Sequence, residues 1–435
     1  MKDSTRGWIV TLAGMGVNLA LGILYAWSVI KGGIPESWNW TNADKALPYS
    51  VACLVFAIAM IPAGWLQDKI GPRWVSTLGG LFVGVGFIVA ALAGSSLAGF
   101  VIGFGVLGGM GIGLGYASAT PPAVKWFPPQ KTGLVTGLVV AGFGLASVYI
   151  APLATYLLKG FSTKVAMRLP DGTVKEVVAL GISNTMLVFG IAFLIVVVGL
   201  SQLMKDPPRG HVPAGRASAK AAKGHNDVSW RGMLSRAQFY VLWLIYFTGA
   251  AAGLTFISFA QQLGKKSLGE LAFVAVAVLA VGNAGGRITA GLVSDKIGRQ
   301  RTMLTFLLLQ TVAVSTLYLM KGGAGGWPML MVVLLVIGAS YGSNLSLFPS
   351  ATKDYFGLKN FGLNYGFVFT AWGAAGLILP WIDGKIKDAN GGRNDATFLI
   401  IVVMPLIGAA LTFVSQALAT KTEAKKSLVM QPESV

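Results

Sequence analysis

The chain has 435 residues, of which 54% are hydrophobic and only 11% are charged. Soluble domains carry roughly a quarter charged residues, so this composition excludes an ordinary soluble protein. The net charge of +18 would suggest a nucleic-acid partner in a soluble chain. Here the basic residues fall mostly between apolar segments, where membrane topology explains them, and no nucleic acid is expected. The single cysteine, Cys53, excludes an internal disulfide and a metal cluster built on thiolates.

Apolar runs along the chain are long enough to cross a membrane. A helix needs about 20 apolar residues to cross the ~30 Å of hydrocarbon, and we count about twelve such runs. Helices are expected because lipid offers no hydrogen-bond partner to an unsatisfied backbone. In chain order the predicted spans are residues 8–30, 47–66, 75–94, 98–119, 133–157, 182–204, 237–260, 270–293, 303–320, 328–349, 363–382 and 396–419.

The predicted spans form two sets of six, which we interpret as two halves joined by a linker. The linker is rich in Lys, Arg, Ala, Gly and Pro and holds both histidines, His211 and His225. The predicted divisions are an N-terminal six-helix half at 1–204, a cytoplasmic linker at 205–236, a C-terminal six-helix half at 237–419 and a cytoplasmic tail at 420–435.

Two segments outside the spans have patterns of their own. Residues 229–236, at the end of the linker, mix apolar and basic side chains, which is typical of an interfacial helix but equally of a solvated segment before the next span. Residues 161–180 contain Leu169-Pro170-Asp171-Gly172-Thr173 between two stretches of mixed polarity. This pattern predicts a small extracytoplasmic hairpin.

The distribution of Lys and Arg predicts the orientation of the chain. Of the 34 basic residues, 21 fall on the side that holds the N-terminus and the linker, 12 fall on the other side, and one, Arg287, lies inside a span. Because basic residues are in excess in cytoplasmic loops, both termini are expected in the cytoplasm. The expected location is a bacterial-type inner (plasma) membrane.

One short sequence occurs at the same place in both halves. GWLQDKIGPR (64–73) follows the second span and GLVSDKIGRQR (291–301) follows the eighth, the second span of its half. Glycine lets two helix ends approach, aspartate can cap or pair across a tight turn, and basic residues hold the turn at the headgroups. The residues predicted to act in this gating or loop motif are Asp68, Arg73, Asp295 and Arg299.

The repeated motif resembles the loop signature of the major facilitator superfamily, with Pro72 replacing one basic position. Further stretches are similar to the oxalate/formate antiporter family, close kin of the monocarboxylate transporters. They are Tyr116-Ala117-Ser118 leading to Lys125-Trp126-Phe127-Pro128, then Ser346-Leu347-Phe348-Pro349-Ser350 and Asn364-Tyr365-Gly366-Phe367. The resemblance implies an all-α integral membrane fold of twelve transmembrane helices in two pseudo-symmetric six-helix halves, with one central site and alternating access by rocking of the halves.

Arg287 is the residue that the sequence singles out for substrate binding. A guanidinium inside a span costs several kcal/mol unless it faces a polar cavity or a partner. Asn283 lies one turn earlier on the same helix face, so both side chains can point into one cavity. The planar guanidinium fits a carboxylate with two parallel hydrogen bonds, and a site with one positive charge favours a monoanion. The alternative is that Arg287 extends to the headgroups or pairs with Asp295.

The resemblance supports a substrate-binding role for Arg287 and raises a question about proton coupling. An arginine at this place in the eighth span binds the substrate carboxylate in such transporters. Related monocarboxylate carriers have an aspartate where Asn283 stands and a lysine where Val29 stands, and both take part in coupling. The substrate carboxylate itself, or a group near it, is then left as the proton carrier.

A second departure bears on the substrate. The oxalate carrier pattern has a lysine in the eleventh span, and here that position is Trp372. One cation cannot balance a dianion well in a low-dielectric cavity, which favours small monocarboxylates over oxalate. The indole would instead supply an apolar wall and one N–H donor.

Three tyrosines complete the predicted site. Tyr25, Tyr116 and Tyr341 lie in the first, fourth and tenth spans, where their hydroxyls could hydrogen-bond a carboxylate. By resemblance, Tyr25 and Tyr116 match aromatic binding positions, and Tyr341 stands where the family has Trp or Tyr. Phe256 and Phe369 are expected in core packing rather than at the site. The predicted substrate-binding residues are Arg287, Asn283, Tyr25, Tyr116, Tyr341 and Trp372.

Together these features predict a secondary transporter of small, lactate-like monocarboxylates that works by alternating access with proton symport. The alternative is a carboxylate exchanger of the oxalate/formate type, and a channel is also compatible with the sequence. An enzyme is not expected, because the histidines lie in the linker and the acidic residues fall in loops or, for Glu270, at a helix end. We expect no cofactor and no metal. The expected partners are a small carboxylate anion, protons and the lipid bilayer, and a monomer is expected.

Overall fold

The computed structural model describes residues 3–128, 131–168, 174–208, 227–320, 326–357 and 360–429. In these ranges the chain forms twelve helical segments that are long and apolar enough to cross a membrane. The prediction of twelve spans is therefore confirmed. The chain is almost entirely helical, and its one described sheet is a two-stranded hairpin.

The N-terminal half contains spans 1 to 6. Span 1 is interrupted by a 3₁₀ turn, Gly22–Ala26, and span 4 contains a π-helical segment, Val101–Gly108. The helices are α1 (Asp3–Leu21) and α2 (Trp27–Gly32) in span 1, α3 (Asn42–Ile70) in span 2, α4 (Pro72–Leu92) in span 3, α5 (Leu97–Phe100) and α6 (Gly109–Lys125) in span 4, α7 (Thr132–Gly160) in span 5, and α8 (Ile182–Ser201) in span 6.

The C-terminal half contains spans 7 to 12. A short helix, α9 (Trp230–Leu234), precedes it. It lies in the segment whose sequence fitted either an interfacial helix or a solvated segment. The spanning helices are α10 (Ala237–Leu268), α11 (Phe273–Ile297), α12 (Arg299–Leu319), α13 (Trp327–Phe356), α14 (Phe361–Ala389) and α15 (Asp395–Val429). A 3₁₀ turn, Gly269–Ala272, joins α10 to α11.

Successive spans run in alternating directions, which gives the molecule two faces. We call the face where α1 begins and α15 ends the terminal face, and the other the opposite face. Strands β1 (Thr163–Arg168) and β2 (Val174–Ala179) pair antiparallel between α7 and α8, at the opposite face. The predicted hairpin is confirmed, and its turn lies outside the described residues.

The repeated loop motif has the same backbone geometry in both halves. Gly71 follows α3 with φ +84° and ψ 162°, and Gly298 follows α11 with φ +92° and ψ 157°. A residue with a Cβ atom is strained at such a positive φ, so glycine is required at both positions. A new helix begins at the next residue in each case, so the motif makes a tight turn between spans 2 and 3 and between spans 8 and 9.

The two halves pack against each other through two helix pairs. Helix α14 lies along α3, with Gly384 against Ala43 near the opposite face and Gly373 against Ala57 in the middle. Helix α11 packs on α7, where Gly144 faces Ala284. Small residues at these contacts allow close approach of helices that belong to different halves, which is how membrane helices associate.

Glycines also set the position of α11 against α13 within the C-terminal half. A Cβ atom at Gly286 would clash with the Ala339 carbonyl, and one at Gly342 would clash with the Asn283 carbonyl. Gly282 and Gly338 make equivalent backbone contacts. Helix α11 carries Asn283 and Arg287, so these contacts determine where both side chains sit.

We predict that Gly286→Ala destabilises the protein while Gly285→Ala does not. The added methyl at Gly286 would have to push α13 away, and overpacking of this kind costs about 1–3 kcal/mol. A Cβ at Gly285 meets nothing within 4 Å. Thermal unfolding in detergent should show a lower midpoint for Gly286→Ala and an unchanged or higher one for Gly285→Ala. Equal midpoints for the two variants would contradict the packing described here.

Span 4 is dense in glycine because it touches two neighbours closely. Gly109 and Gly113 face the backbone of α3, and Gly111 faces α4 at Gly79. These glycines are therefore helix-contact residues. The π-helical segment before them widens the helix locally, and such segments are frequent at functional sites.

Candidate functional site

Arg287 lies at the centre of the interface between the halves and is only 4% exposed. Its Nε donates to Asn283 Oδ1 at 3.1 Å on its own helix. Its Nη1 donates to the Val140 carbonyl at 2.6 Å, and its Nη2 donates to the Tyr25 hydroxyl at 3.4 Å. Val140 and Tyr25 belong to the N-terminal half, so Arg287 links the two halves. Every acceptor is neutral, and two of the five N–H groups of the guanidinium remain for another acceptor.

A hydrogen-bond chain extends from Arg287 across the interface. Tyr25 and Tyr341 place their hydroxyl oxygens 2.8 Å apart, and Trp372 Nε1 donates to Tyr341 at 2.7 Å. An indole and a guanidinium can only donate, so each tyrosine oxygen accepts one bond from outside the pair. One hydroxyl hydrogen donates within the pair and the other is left over. Tyr25 lines the central cavity, so its hydroxyl can offer that hydrogen to a bound anion.

The central cavity is small and mainly aromatic. It has about 150 Å³ of space between its walls and is too narrow in this conformation for a water molecule. Its lining residues are Tyr25, Phe56, Tyr116, Phe143, Arg287, Leu345, Phe369 and Trp372. The rings contact one another closely, with Phe369 stacked on Trp372 at 5.0 Å between centroids and Tyr25 edge-on to Phe143 at the same distance. The site is occluded, and a substrate must separate these rings.

The electrostatic character of the cavity is that of a site for one negative charge. Arg287 is its single ionised lining residue among those the structure describes. The Asn283 Nδ2 atom is buried beside it without a hydrogen-bond acceptor, which leaves a second donor for an anion. Tyr116 interacts electrostatically with Arg287 across the cavity. A monoanion would neutralise the guanidinium in surroundings that exclude water.

The structure brings the predicted binding residues together from five spans. Arg287, Tyr25, Tyr116 and Trp372 line the cavity, while Asn283 and Tyr341 hydrogen-bond to its lining residues. The two phenylalanines expected in core packing behave differently. Phe256 packs on Phe259 and Phe398, as expected, whereas Phe369 lines the cavity because its position on α14 is one turn before Trp372.

The alternatives for Arg287 are not what the structure shows. Asp295 pairs instead with Arg299, at 2.8 Å, and Arg299 also donates to Asp354 at 3.1 Å and to Ser294. This network joins the loop motif after α11 to the end of α13. In the N-terminal half, the Asp68 side chain is not among those that the structure describes. The Arg73 guanidinium carbon lies 5.5 Å from the centroid of the Trp74 ring.

Other stretches that carry the family resemblance hold the terminal face together. Lys125 pairs with Asp206 at 2.9 Å and Trp126 donates to the Lys205 carbonyl, which ties the end of span 4 to the end of span 6. Asn364 donates to the Val228 carbonyl at 2.9 Å, which ties the segment before α9 to α14. These contacts are structural and lie away from the cavity.

Sequence reasoning missed several residues. Phe56 and Phe143 form cavity walls, and no pattern distinguished them from other apolar residues in their spans. The statement that acidic residues fall only in loops or at a helix end is wrong for Asp383. Helix α14 continues to Ala389, seven residues beyond the predicted span, and Asp383 is fully buried within it. The Asp-x-x-x-Lys spacing of Asp383 and Lys387 was the available signal.

A second, larger cavity opens at the opposite face between the halves. This vestibule has a volume of about 440 Å³. It runs from Lys159, Lys265 and Glu270 at the surface to Val29, one helical turn from Tyr25. Lys159 pairs with Glu270 at 3.1 Å and so links α7 to the start of span 8. The inner end of the vestibule therefore lies close to the central cavity.

Comparison with known proteins identifies the architecture. A sequence profile of the Major Facilitator Superfamily matches residues 8–380 and, in a second alignment, residues 259–431. The chain is a member of this superfamily. Its twelve spans in two halves are the fold of such transporters, which confirms the predicted fold class. The protein is an integral membrane transporter.

Individual relatives agree with this assignment. The oxalate:formate antiporter of Oxalobacter formigenes is 27% identical over 436 residues, covering 98% of this chain and 95% of that protein. Monocarboxylate transporter 11 of Homo sapiens is 26% identical over 406 residues, covering 92% of this chain and 80% of that one. The resemblance to the oxalate/formate antiporter and monocarboxylate transporter families is confirmed.

The fold has a counterpart among solved structures. A bacterial homologue of the human lysosomal transporter Spinster, in an inward-facing and unoccupied conformation, matches with a TM-score of 0.66. The match covers 96% of this chain and 98% of that one, at 17% sequence identity. At that identity the match concerns the fold alone.

Proposed function

We propose that this transporter carries small, lactate-like monocarboxylates by alternating access, with protons moving in the same direction as the anion. The proposal includes a bacterial-type inner membrane with both termini in the cytoplasm, so that the terminal face is cytoplasmic and the opposite face is outside. The names of the two relatives support a carboxylate as the substrate class, since one exchanges oxalate and formate and the other is a monocarboxylate transporter.

The observation that carries this proposal is the single buried charge of Arg287 in an aromatic cavity. All three of its hydrogen bonds go to neutral acceptors, so the guanidinium has no counter-ion within the described residues. A carboxylate can accept the two remaining N–H groups in parallel, which is the geometry that arginine favours. One monoanion balances the charge, whereas a dianion would leave one negative charge uncompensated.

The position of Arg287 also links binding to movement of the halves. Its side chain belongs to the C-terminal half, yet it donates to Val140 and Tyr25 of the N-terminal half. A bound carboxylate competes for these donors and for the Tyr25 hydroxyl. Substrate binding therefore changes the contacts that hold the empty site closed, which is what alternating access requires.

The proposed symport needs a proton carrier other than the ones used by related carriers. Asn283 cannot carry a proton where related carriers have an aspartate, and Val29 lines the vestibule without a charge. A carboxylate paired with the Arg287 guanidinium stays ionised, so the proton would be carried by a group near the substrate. That group would take up one proton outside and release it inside with each anion.

The second candidate function is exchange of two carboxylates. It is favoured by the match to the oxalate:formate antiporter along nearly the whole of both chains. An exchanger returns its empty site slowly, and the small, closed cavity with Arg287 bonded across both halves would fit such behaviour. Exchange differs from symport in requiring a carboxylate inside the vesicle.

The deciding experiment is uptake of labelled L-lactate into proteoliposomes. Vesicles are either empty or preloaded with formate or oxalate, each with and without an inward proton gradient. Symport predicts uptake into empty vesicles that the gradient stimulates. Uptake into preloaded vesicles alone would establish exchange, and absence of uptake in all conditions would exclude lactate as the substrate.

Closure of the opposite face depends on Asp388, and this provides a test of alternating access. Asp388 accepts hydrogen bonds from the Asn42 amide at 2.8 Å, the Ala43 amide at 3.0 Å and Asn42 Nδ2 at 2.9 Å. A carboxylate of the C-terminal half thus caps the N-terminus of α3 in the other half. Capping and helix-dipole interactions of this kind contribute about 1–2 kcal/mol.

We expect Asp388→Asn to open the opposite face more often. Cys53 is the single cysteine and is buried between α3 and α14, so its reaction with a maleimide reports separation of these helices. The labelling rate should rise about 5- to 30-fold in the variant, as ~1–2 kcal/mol implies. Asp395→Asn is the matched control, because Asp395 pairs with Arg393 of the same half. A rate in Asp388→Asn equal to that of the parent would contradict the role of this cap.

A further inference from the structure

Three ionisable side chains are buried together where span 1 meets span 11, near the opposite face. Lys31, at the end of α2, is 2% exposed, Asp383 on α14 is 0% exposed, and Lys387 on α14 is 6% exposed. Lys387 Nζ lies 2.7 Å from Asp383 Oδ2. Lys31 interacts electrostatically with both residues from the other half. None of them lines the central cavity.

The charges and hydrogen bonds of this cluster do not balance. Two ammonium groups face one carboxylate, which leaves one positive charge in excess. Lys387 has the ion pair and also lies 4.4 Å from the Phe259 ring centroid. Within the part of the chain that the structure describes, buried Lys31 Nζ has no hydrogen-bond acceptor and Asp383 Oδ1 has no donor. An unpaired buried ammonium costs several kcal/mol, and the least costly relief is loss of its proton.

Among the described residues, no compensating charge is available to Lys31. The other charged groups that act on it are Lys45, which is also basic, and Asp388, whose two oxygens are occupied by α3. The acid of the nearby vestibule, Glu270, is paired with Lys159. Gln261, on α10, packs its side chain against Gly32, and its Oε1 atom is buried without a donor. Lys31 is therefore enclosed when the halves meet at this face.

We propose that Lys31 is a proton-binding site of this transporter, separate from the substrate site, that is filled when the opposite face is open and empty when it is closed. This inference rests on alternating access as proposed above, and it adds a site that the substrate does not touch. When the gap opens, water reaches Lys31 Nζ, which takes up one proton. When the gap closes, that proton returns to the water of the same face.

The equilibrium between the open and closed states of the opposite face should therefore depend on the external pH. A lysine in water holds its proton at neutral pH, so closing requires the proton to leave. Each unit of lower pH shifts the equilibrium toward the open state, by up to tenfold for one proton. An acidic exterior would therefore expose the site to external anion more often, even though this proton does not cross the membrane.

The test measures maleimide labelling of Cys53 between pH 8 and pH 6 in the purified full-length protein. Thiol reactivity itself changes with pH, so the rate for the parent is divided by the rate for Lys31→Met at each pH. The ratio should increase as pH falls, by up to tenfold per unit, because methionine has no charge to bury. Lys265→Met is the matched control, since Lys265 is an exposed lysine of the vestibule wall, and it should behave as the parent does.

A constant ratio of parent to Lys31→Met across this pH range would overturn the proposal. If Lys31→Met does not fold, as judged by size-exclusion chromatography, Lys31→Arg serves instead. A guanidinium keeps its proton, so Lys31→Arg should favour the open state even at high pH. Its Cys53 should then be labelled at the rate of a fully accessible thiol. Labelling of Lys31→Arg as slow as that of the parent at pH 8 would equally overturn the proposal.

The labelling test needs no substrate, which separates this site from the proposed function. Lactate uptake could be absent in every vesicle condition while Cys53 labelling still follows Lys31. Conversely, gradient-driven lactate accumulation should persist in Lys31→Met, because the proton that travels with the anion is not the one on Lys31. The two proposals therefore fail on different measurements.

Discussion

Replacing Arg287 by alanine is expected to abolish binding and transport of monocarboxylates. The guanidinium is the single ionised group lining the central cavity within the described chain, and it offers two free N–H groups to a carboxylate. Truncating one partner of a buried, hydrogen-bonded charge pair costs about 2–5 kcal/mol, which corresponds to roughly 30- to several thousand-fold weaker binding. The measurement is L-lactate uptake into proteoliposomes, with binding followed by the substrate-induced shift in thermal unfolding.

Two further variants make the Arg287 result specific. Arg287→Lys keeps the charge but loses the planar fork, so it should retain part of the binding and less of the transport. Arg6→Ala removes an exposed arginine from α1 and should leave both unchanged. Uptake at the parent's rate by correctly inserted Arg287→Ala would refute the assignment of the substrate site.

Replacing Trp372 by lysine is expected to shift preference from monocarboxylates toward dicarboxylates. Trp372 is fully buried, stacks on Phe369 and donates to Tyr341 at 2.7 Å. A lysine in this position can keep a donor toward Tyr341 and brings a second positive charge to the cavity of Arg287. Two cations can balance a dianion where one cannot, and a gain of about 1.4 kcal/mol would already change the preference tenfold.

The Trp372 experiment compares oxalate and L-lactate binding in one assay. Trp372→Phe serves as the control, because it removes the indole donor and part of the volume without adding charge. We expect the oxalate-to-lactate ratio to rise at least tenfold in Trp372→Lys and to stay near the parent's value in Trp372→Phe. If oxalate binds the lysine variant and the parent equally well, the charge at this position does not select the substrate.

Much of the fold could be read from the sequence because lipid imposes a simple rule. Backbone groups in a bilayer must be satisfied internally, so every long apolar run becomes a helix, and the twelve spans followed from their length. The paired loop motifs, which contain Gly71 and Gly298, were recognisable because their tight turns need glycine. The ends of helices were less accurate, since membrane helices such as α14 continue into polar sequence at the surface.

The candidate site was only partly within reach of the sequence. Arg287 stood out because a charge in an apolar span is rare, and Asn283 followed from helical spacing. Phe56 and Phe143 did not, because an aromatic residue that lines a cavity has the same local sequence signature as one that packs in the core. The hydrogen-bonded chain of Trp372, Tyr341 and Tyr25 also required three spans to be placed in space.

The sequence by itself determined the architecture of this protein. It is a membrane chain with twelve helical spans, two repeated halves and one arginine inside a span. These properties depend on composition, spacing and the exclusion of water by lipid, which act locally along the chain. Only the tertiary structure decided which residues from different spans meet. It placed Lys31 beside Asp383 and Lys387 and gave Arg287 partners in the other half. Such contacts arise from helix packing between the halves, which no local pattern encodes.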